Sequence, residues 1–329
     1  MSSAVATIHT VAVWLNYFFG IPIIVFGMIG AILTIIVFMR QRAFWQNPTI
    51  IYLLAGSVTT IVHLPTVYLP VVLAQGFGIV LFAEYDIICR LFNYFLYATT
   101  VSSIYFPCLA AFDQYASTSR NAAFRNRWHS VKAVRWAIFV MVLFWSLLYL
   151  PVLIVSQLTR SNGCYITNYY IRTMTNYVTV PLFFTVVPVI LIIFCLQGIL
   201  RNLRRLKLHN AQQDRFERQI RRMLIAQILV LAVSGFPFAL ESVYLEATAS
   251  IVKTNLRSAV ESISLEVLRF FFHVNFVGTF YIYLYISSEV RKTLLQFFMR
   301  IVGYNIVVPV TTTGANHIIG PTHNSTNPA

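Results

Sequence analysis

Charge is what this chain of 329 residues has least of. Asp, Glu, Lys and Arg together make up 10% of it, against 58% hydrophobic residues and a mean hydropathy of +0.72. A soluble domain carries roughly 25% charged residues, so too little polar surface exists to keep a globule of this size in water. Aspartate occurs only as Asp86, Asp113 and Asp214, which leaves no pair of intramembrane aspartates for proteolysis. A His-Glu-x-x-His run for zinc hydrolysis is missing as well. Ser57 and His63 share one apolar run, but six residues of separation do not put two side chains on one helix face, so a hydrolase dyad is unsupported. The first 39 residues hold no Lys or Arg. The positive segment that precedes the core of a cleaved signal peptide is thus lacking, and the first apolar run is expected to remain as an anchor. Soluble enzymes, secreted disulfide scaffolds and disordered chains are excluded, and nothing calls for a cofactor.

What the chain does have is long apolar runs. Seven of them, at about 11–39, 49–74, 87–113, 134–157, 174–200, 222–246 and 259–286, each match the ~20 to 25 residues of a membrane-spanning helix. The fold class expected is an all-α membrane protein, a seven-transmembrane helix bundle. A short amphipathic cytoplasmic helix follows over 287–300. The loops beginning at Arg40, Asn121, Arg201 and Arg291 carry most of the 24 basic residues. With Asp113, Asp214, Glu217 and Glu289 as their only acids, they hold the whole net charge of +14. By the positive-inside rule this face is cytoplasmic, which puts the N-terminus outside and, after seven crossings, the C-terminus inside. The basic balance then needs no nucleic acid to explain it, only the membrane lipid surface. The expected organisation is an extracellular segment over 1–10, the helical domain over 11–300 and a disordered cytoplasmic tail over 301–329, rich in Thr, Pro, Asn and Gly. The sequon Asn324-Ser325-Thr326 falls in that tail, where it would not be glycosylated.

Two of the four cysteines, Cys89 and Cys164, lie on the outer face, where a disulfide between them is the favoured pairing. Cys108 and Cys195 are mid-span and read as small buried apolar residues. Ionisable and amide side chains within spans are costly in lipid and so are candidates for function. Asn93, Tyr97, Glu241, Glu266, Arg269 and His273 all fall in the outer halves of their spans, and the last three share one helix face. They would form the polar floor of an outward-facing pocket, with aromatic walls from Tyr94 and Phe236 and with Arg269 suited to a carboxylate. The competing reading is an internal ion pair of Arg269 with Glu266 or Glu241 that locks two helices.

Cys89 opens the third run and Asp113-Gln114-Tyr115 closes it. Trp145 lies in the fourth and Pro188 in the fifth. The sixth runs from Arg222-Met223-Leu224-Ile225 to Gly235-Phe236-Pro237-Phe238, and Tyr283 precedes the amphipathic stretch Ser287 to Lys292. Over about 11–300 this pattern resembles the rhodopsin-like (class A) G protein-coupled receptors, among them divergent invertebrate orphans of the peptide-receptor or chemosensory kind. The resemblance implies a plasma-membrane receptor, not an enzyme. It would bind an extracellular peptide or small molecule and signal to a heterotrimeric G protein through Asp113, Gln114, Tyr115, Arg221, Arg222 and Tyr283. Gln114 stands where that family has arginine, so Asp113 is expected to seek Arg120, Arg125 or Arg127 instead. Val58 stands for the second-span aspartate, Gly235 for a tryptophan, and Thr279-Phe280 for Asn-Pro. Leu96 removes an amine anchor, and the absence of lysine from 259–286 removes a retinal linkage. The alternatives are a transporter, which predicts internal repeats that are not seen, or a non-signalling seven-helix regulatory protein.

Overall fold

The computed structural model describes residues 3–40, 47–159, 163–204 and 211–301. Seven helices of membrane-crossing length run over Ala4–Arg40, Pro48–Phe77, Asp86–Ser117, Val131–Val155, Tyr169–Asn202, Arg222–Ala247 and Asn255–Ile286. They are the first to seventh spans below, and the protein is a multi-pass membrane protein. An amphipathic helix, Ser288–Ile301, follows the seventh. The tail expected over 301–329 lies outside the described residues apart from Ile301.

Local chemistry sets the span boundaries. Pro48 occupies the first turn of the second span, where its missing N–H costs nothing, and the Asn47 side chain accepts from the Thr49 N–H. Ser130, Asn168 and Thr254 cap the fourth, fifth and seventh spans in the same way. The second span stops at Gly78, whose φ of 69° is left-handed and favours glycine. Several elements exceed what hydropathy indicates. The first helix begins at Ser3, and the sixth extends back to Ala211. Asn121 caps a short helix, Ala122–Trp128, by accepting from the N–H groups of Ala123 and Phe124. The loop between spans four and five folds into an antiparallel hairpin of β1, Ser156–Thr159, and β2, Gly163–Ile166. Polar helix ends and a four-residue strand pair carry no apolar signal, so hydropathy leaves them as loop.

Three spans widen to an i→i+5 turn. The Ile21 N–H donates to the Asn16 carbonyl, Leu69 to Leu64, and Val187 to Leu182. Each widening lies beside proline (Pro22; Pro65 and Pro70; Pro181 and Pro188), which withholds the N–H that a regular turn would use. The bundle core divides accordingly. One cluster gathers Tyr52, Phe106, Ile192, Leu224 and Tyr283 toward the arginine-rich end. Another gathers Val101, Trp145, Tyr149, Phe184 and Phe272 toward the hairpin. A third, with Leu64, Tyr68, Val72 and Phe270, joins spans one, two and seven. Close approach there needs Gly27, where an added Cβ would stand 2.6 Å from Leu64 and 2.9 Å from Val277. The fourth span turns Trp136, Phe139, Phe144 and Leu147 outward, as a lipid-facing helix does.

Cys89 and Cys164 form a disulfide with Cα atoms 5.4 Å apart, tying the third span to β2 across 75 residues of chain. Asp86 adds a second tie by accepting from the Leu158 N–H at 2.9 Å. Closing so long a loop is worth about 4 kcal/mol in the chain-entropy model. Cys89→Ser and Cys164→Ser are each expected to lower the fraction of protein at the cell surface, with the double variant no worse than either. Surface labelling followed by mass mapping of the thiols checks this, and two free thiols in surface protein would refute it.

Candidate functional site

Polar side chains collect at two levels of the bundle. At the disulfide end, Glu266 and Arg269 stand one turn apart on the seventh span and pair at 2.8 Å, both largely shielded from solvent. Of the two ion pairs considered for Arg269, the one formed is with Glu266. The second Glu266 oxygen, Oε1, is buried without a partner. One turn further, the His273 Nδ1–H donates to the Arg269 carbonyl at 2.8 Å, which leaves Nε2 to face the Nε2 of His63 on the second span at 3.4 Å. His63 reaches Thr99 on the third span at 2.8 Å, so two imidazoles bridge spans two, three and seven. Tyr68 stacks on His273 with ring centroids 3.9 Å apart, and Phe276 stacks on His63 at 4.5 Å. The sequence offers no signal for Tyr68, and it singles out His63 only beside Ser57. A histidine in mid-span is the available signal, but its partner lies 210 residues away in the chain.

The remaining candidates at this end divide. Asn93 is buried and spends its amide on Ser156 Oγ at 3.2 Å and Cys164 Sγ at 3.3 Å, so it anchors the hairpin. Tyr97 stacks against Tyr149 at 5.6 Å and leans on Phe184. The Tyr94 hydroxyl donates to the Ser146 carbonyl at 3.4 Å. Phe236 is not an inner wall. It is 41% exposed, and Phe238, two residues on, takes the inward position, stacked on Phe272 at 4.7 Å. Glu241 is partly buried and makes no hydrogen bond or ion pair among the described residues. It lies one turn from Phe238, which faces Phe272, and one turn from Tyr244, whose hydroxyl donates to Glu261 at 2.9 Å. Glu241 is an i, i+3 neighbour of each, so it lies on the flank between them, along the seam with the seventh span.

At the arginine-rich end, Asp113 is 2% exposed. Its expected partners are the arginines Arg120, Arg125 and Arg127 of the adjoining loop, but the side chain that meets it is His129, with Nδ1 donating to Oδ1 at 2.9 Å. The short helix Ala122–Trp128 is the physical reason, because it carries the chain through a compact turn and delivers its first following residue to the foot of the third span. The second carboxylate oxygen accepts from the Thr49 hydroxyl. Thr49 in turn accepts from Gln114 Nε2 at 2.6 Å. Thr49 is therefore a hub between an anion and an amide. Tyr115 packs over Gly198, where a Cβ would come within 2.5 Å of its ring. Tyr283 is buried beside Phe38, and Arg222 is exposed. The side chain of Arg221 lies outside the described residues.

Between the two levels is a small cavity whose lining includes Thr34, Ser57, Thr60, Gln227, Thr279 and Tyr283. Gln227 Nε2 donates to the Thr279 hydroxyl at 3.0 Å, so the residue standing for the family's asparagine is engaged with the sixth span. Val58 does not point here. It is 51% exposed, and Ser57, one residue earlier, holds the buried position. On the sixth span a Cβ at Gly235 would meet Thr185 Oγ1 at 3.1 Å, so Thr185 of the fifth span packs against bare backbone there.

The family model described as 7 transmembrane receptor (rhodopsin family) matches residues 30–277, three quarters of the chain, covering the end of the first span, the second to sixth spans whole and most of the seventh. The chain belongs to the rhodopsin family of receptors. Comparison with curated protein sequences finds no match. Rhodopsin-family receptors are signalling proteins rather than enzymes, and ligands and G proteins are the partners of the family in general. In this receptor the third-span motif has traded arginine for an amide held by Thr49. Thr49→Val would strand a buried carboxylate oxygen and a buried amide at once, a loss of about 1 to 3 kcal/mol. Thermal unfolding of purified receptor is expected to show a midpoint several degrees lower for Thr49→Val, with most of the loss restored in Thr49→Ser.

Proposed function

We propose that this receptor binds an extracellular peptide or small molecule at the disulfide end and passes activation to a heterotrimeric G protein at the arginine-rich end. The N-terminus is then outside the plasma membrane, and the amphipathic helix and the tail after it are in the cytoplasm. The observation that carries the reading is the placing of buried polar clusters at opposite ends of the same spans. Glu266, Arg269 and His273 occupy one end of a bundle whose other end holds Asp113, Gln114 and Thr49. The charge asymmetry supports the orientation, since the net positive charge lies with Asp113 and Tyr115. Arg222 and the exposed face of Ser288–Ile301 offer a basic and amphipathic surface there.

In this reading the tie between Asp113 and His129 holds the resting state. It is a single imidazole contact, a weaker restraint than the two-pronged, charged contact of a guanidinium would supply. Gln114 contributes a neutral hydrogen bond instead of a charge-assisted one, a difference of about 1 kcal/mol. Measurable ligand-independent signalling is therefore expected. His129→Ala is expected to raise it severalfold and Gln114→Arg to lower it, both at unchanged surface expression. A panel of G protein activation sensors reads this without a known agonist. A wild-type receptor that reaches the surface yet activates no sensor, with both variants also silent, would overturn the proposal.

A further inference from the structure

Every described basic residue at the disulfide end is already committed to a carboxylate. Arg90 pairs with Asp86 at 2.6 Å, Arg172 with Glu246 at 3.4 Å, and Lys253 and Arg257 with Glu261. Arg269, the one basic residue inside the polar cluster, pairs with Glu266. The acids at this end are not matched in return. Glu241 makes no ion pair among the described residues. Glu266 gives only Oε2 to Arg269, and Oε1 is buried without a partner. The Tyr68 hydroxyl, from the second span, is also buried and unpartnered, and its ring stacks on His273 at 3.9 Å, two turns along the seventh span from Glu266. Glu266 and Tyr68 are 5% and 1% exposed, so these are orphans of the bundle interior rather than loose surface groups. The imidazoles beneath do not satisfy them, because His273 is engaged with the Arg269 carbonyl and with His63.

Two buried oxygens left open, one of them anionic, describe a receptacle for a group that brings several N–H donors and a positive charge. An ammonium or guanidinium does so; a carboxylate would bring more acceptors to a place already short of donors and would have to pull Arg269 away from Glu266. Tyr68 adds an aromatic wall, which is compatible with a planar cation. We infer that the ligand of this receptor presents a cationic amine or guanidine to Glu266 Oε1 and the Tyr68 hydroxyl, between the second and seventh spans. The inference rests on the disulfide end being the ligand site, and it reverses the polarity that Arg269 alone would suggest.

The test uses full-length purified receptor in detergent and two probes of matched shape and opposite charge, benzamidine and benzoate, read by thermal unfolding. Benzamidine at about ten times its Kd is expected to raise the midpoint by about 2 to 4 °C, and benzoate is expected to leave it unchanged. Glu266→Gln should weaken benzamidine about tenfold, in line with loss of a charge-assisted bond. Arg269→Gln should strengthen it, because Glu266 is then released from its internal partner. Should Glu266→Gln fail to fold, the two-probe comparison on wild type and the sign of the Arg269→Gln effect still decide. Stabilisation by benzoate that disappears in Arg269→Gln, a benzamidine shift that survives Glu266→Gln, or no shift with either probe each overturn the inference. None of these readouts needs a G protein. A receptor that responds to benzamidine but activates no sensor loses the signalling proposal and keeps this one, and one that signals but ignores benzamidine loses only this one.

Discussion

The hydrocarbon interior of a bilayer offers no hydrogen bonds, and that constraint organises this molecule more than any single contact. Its spans contain many hydroxyl residues, and most return the proton to their own helix four residues earlier: Thr34 to Gly30, Ser57 to Leu53, Thr60 to Gly56, Thr100 to Leu96 and Ser102 to Ala98. Such a hydroxyl is satisfied locally and adds nothing between helices. Polar groups that do reach across are fewer and more informative. The chain from Thr99 through His63 and His273 to the Arg269 carbonyl crosses three spans. At the other end Asp113, Thr49, Gln114 and His129 join the second and third spans to the loop before the fourth. Against that background an unpartnered buried oxygen such as Glu266 Oε1 is conspicuous.

Periodicity and composition make the spans legible, because each span must cross the same thickness and hydropathy measures that directly. Inward-facing residues were harder to read. The sequence places Phe236 on a pocket wall and the resemblance places Val58 at the second-span aspartate, yet each is exposed and lies near the residue that faces inward, Phe238 in one case and Ser57 in the other. On a helix a shift of one or two residues turns a side chain by 100° or more, so motif spacing without structure does not settle which side faces the core. Wide turns beside the prolines compound this by adding a residue to the turn locally. Partners across the bundle were least legible. Asp113 meets His129 because a short capped helix folds the intervening loop, and that geometry has no signature in charge or spacing alone.

The two ends also differ in the kind of restraint they use. Near the hairpin, the tie is covalent and is reinforced by Asp86 and Asn93, which both spend their polar atoms on the strands or their flanks. Four carboxylates there are matched to five basic side chains, which stiffens the rim of the bundle. At the opposite end the restraint is a set of hydrogen bonds around Thr49, with Tyr115 resting over the bare backbone of Gly198. Gly198 leaves room for that ring and at the same time contributes no side chain that would hold it.

The third span is therefore clamped at one extremity and loosely sprung at the other. A rod held in this way has its pivot at the clamp, and a small turn near Cys89 becomes a larger sweep at Tyr115. At 1.5 Å per residue, the 26 steps from Cys89 to Tyr115 make a lever of roughly 39 Å. The bond between Cys89 and Cys164 is thus a fulcrum, and the length of the helix below it sets the mechanical gain between the two faces of the membrane.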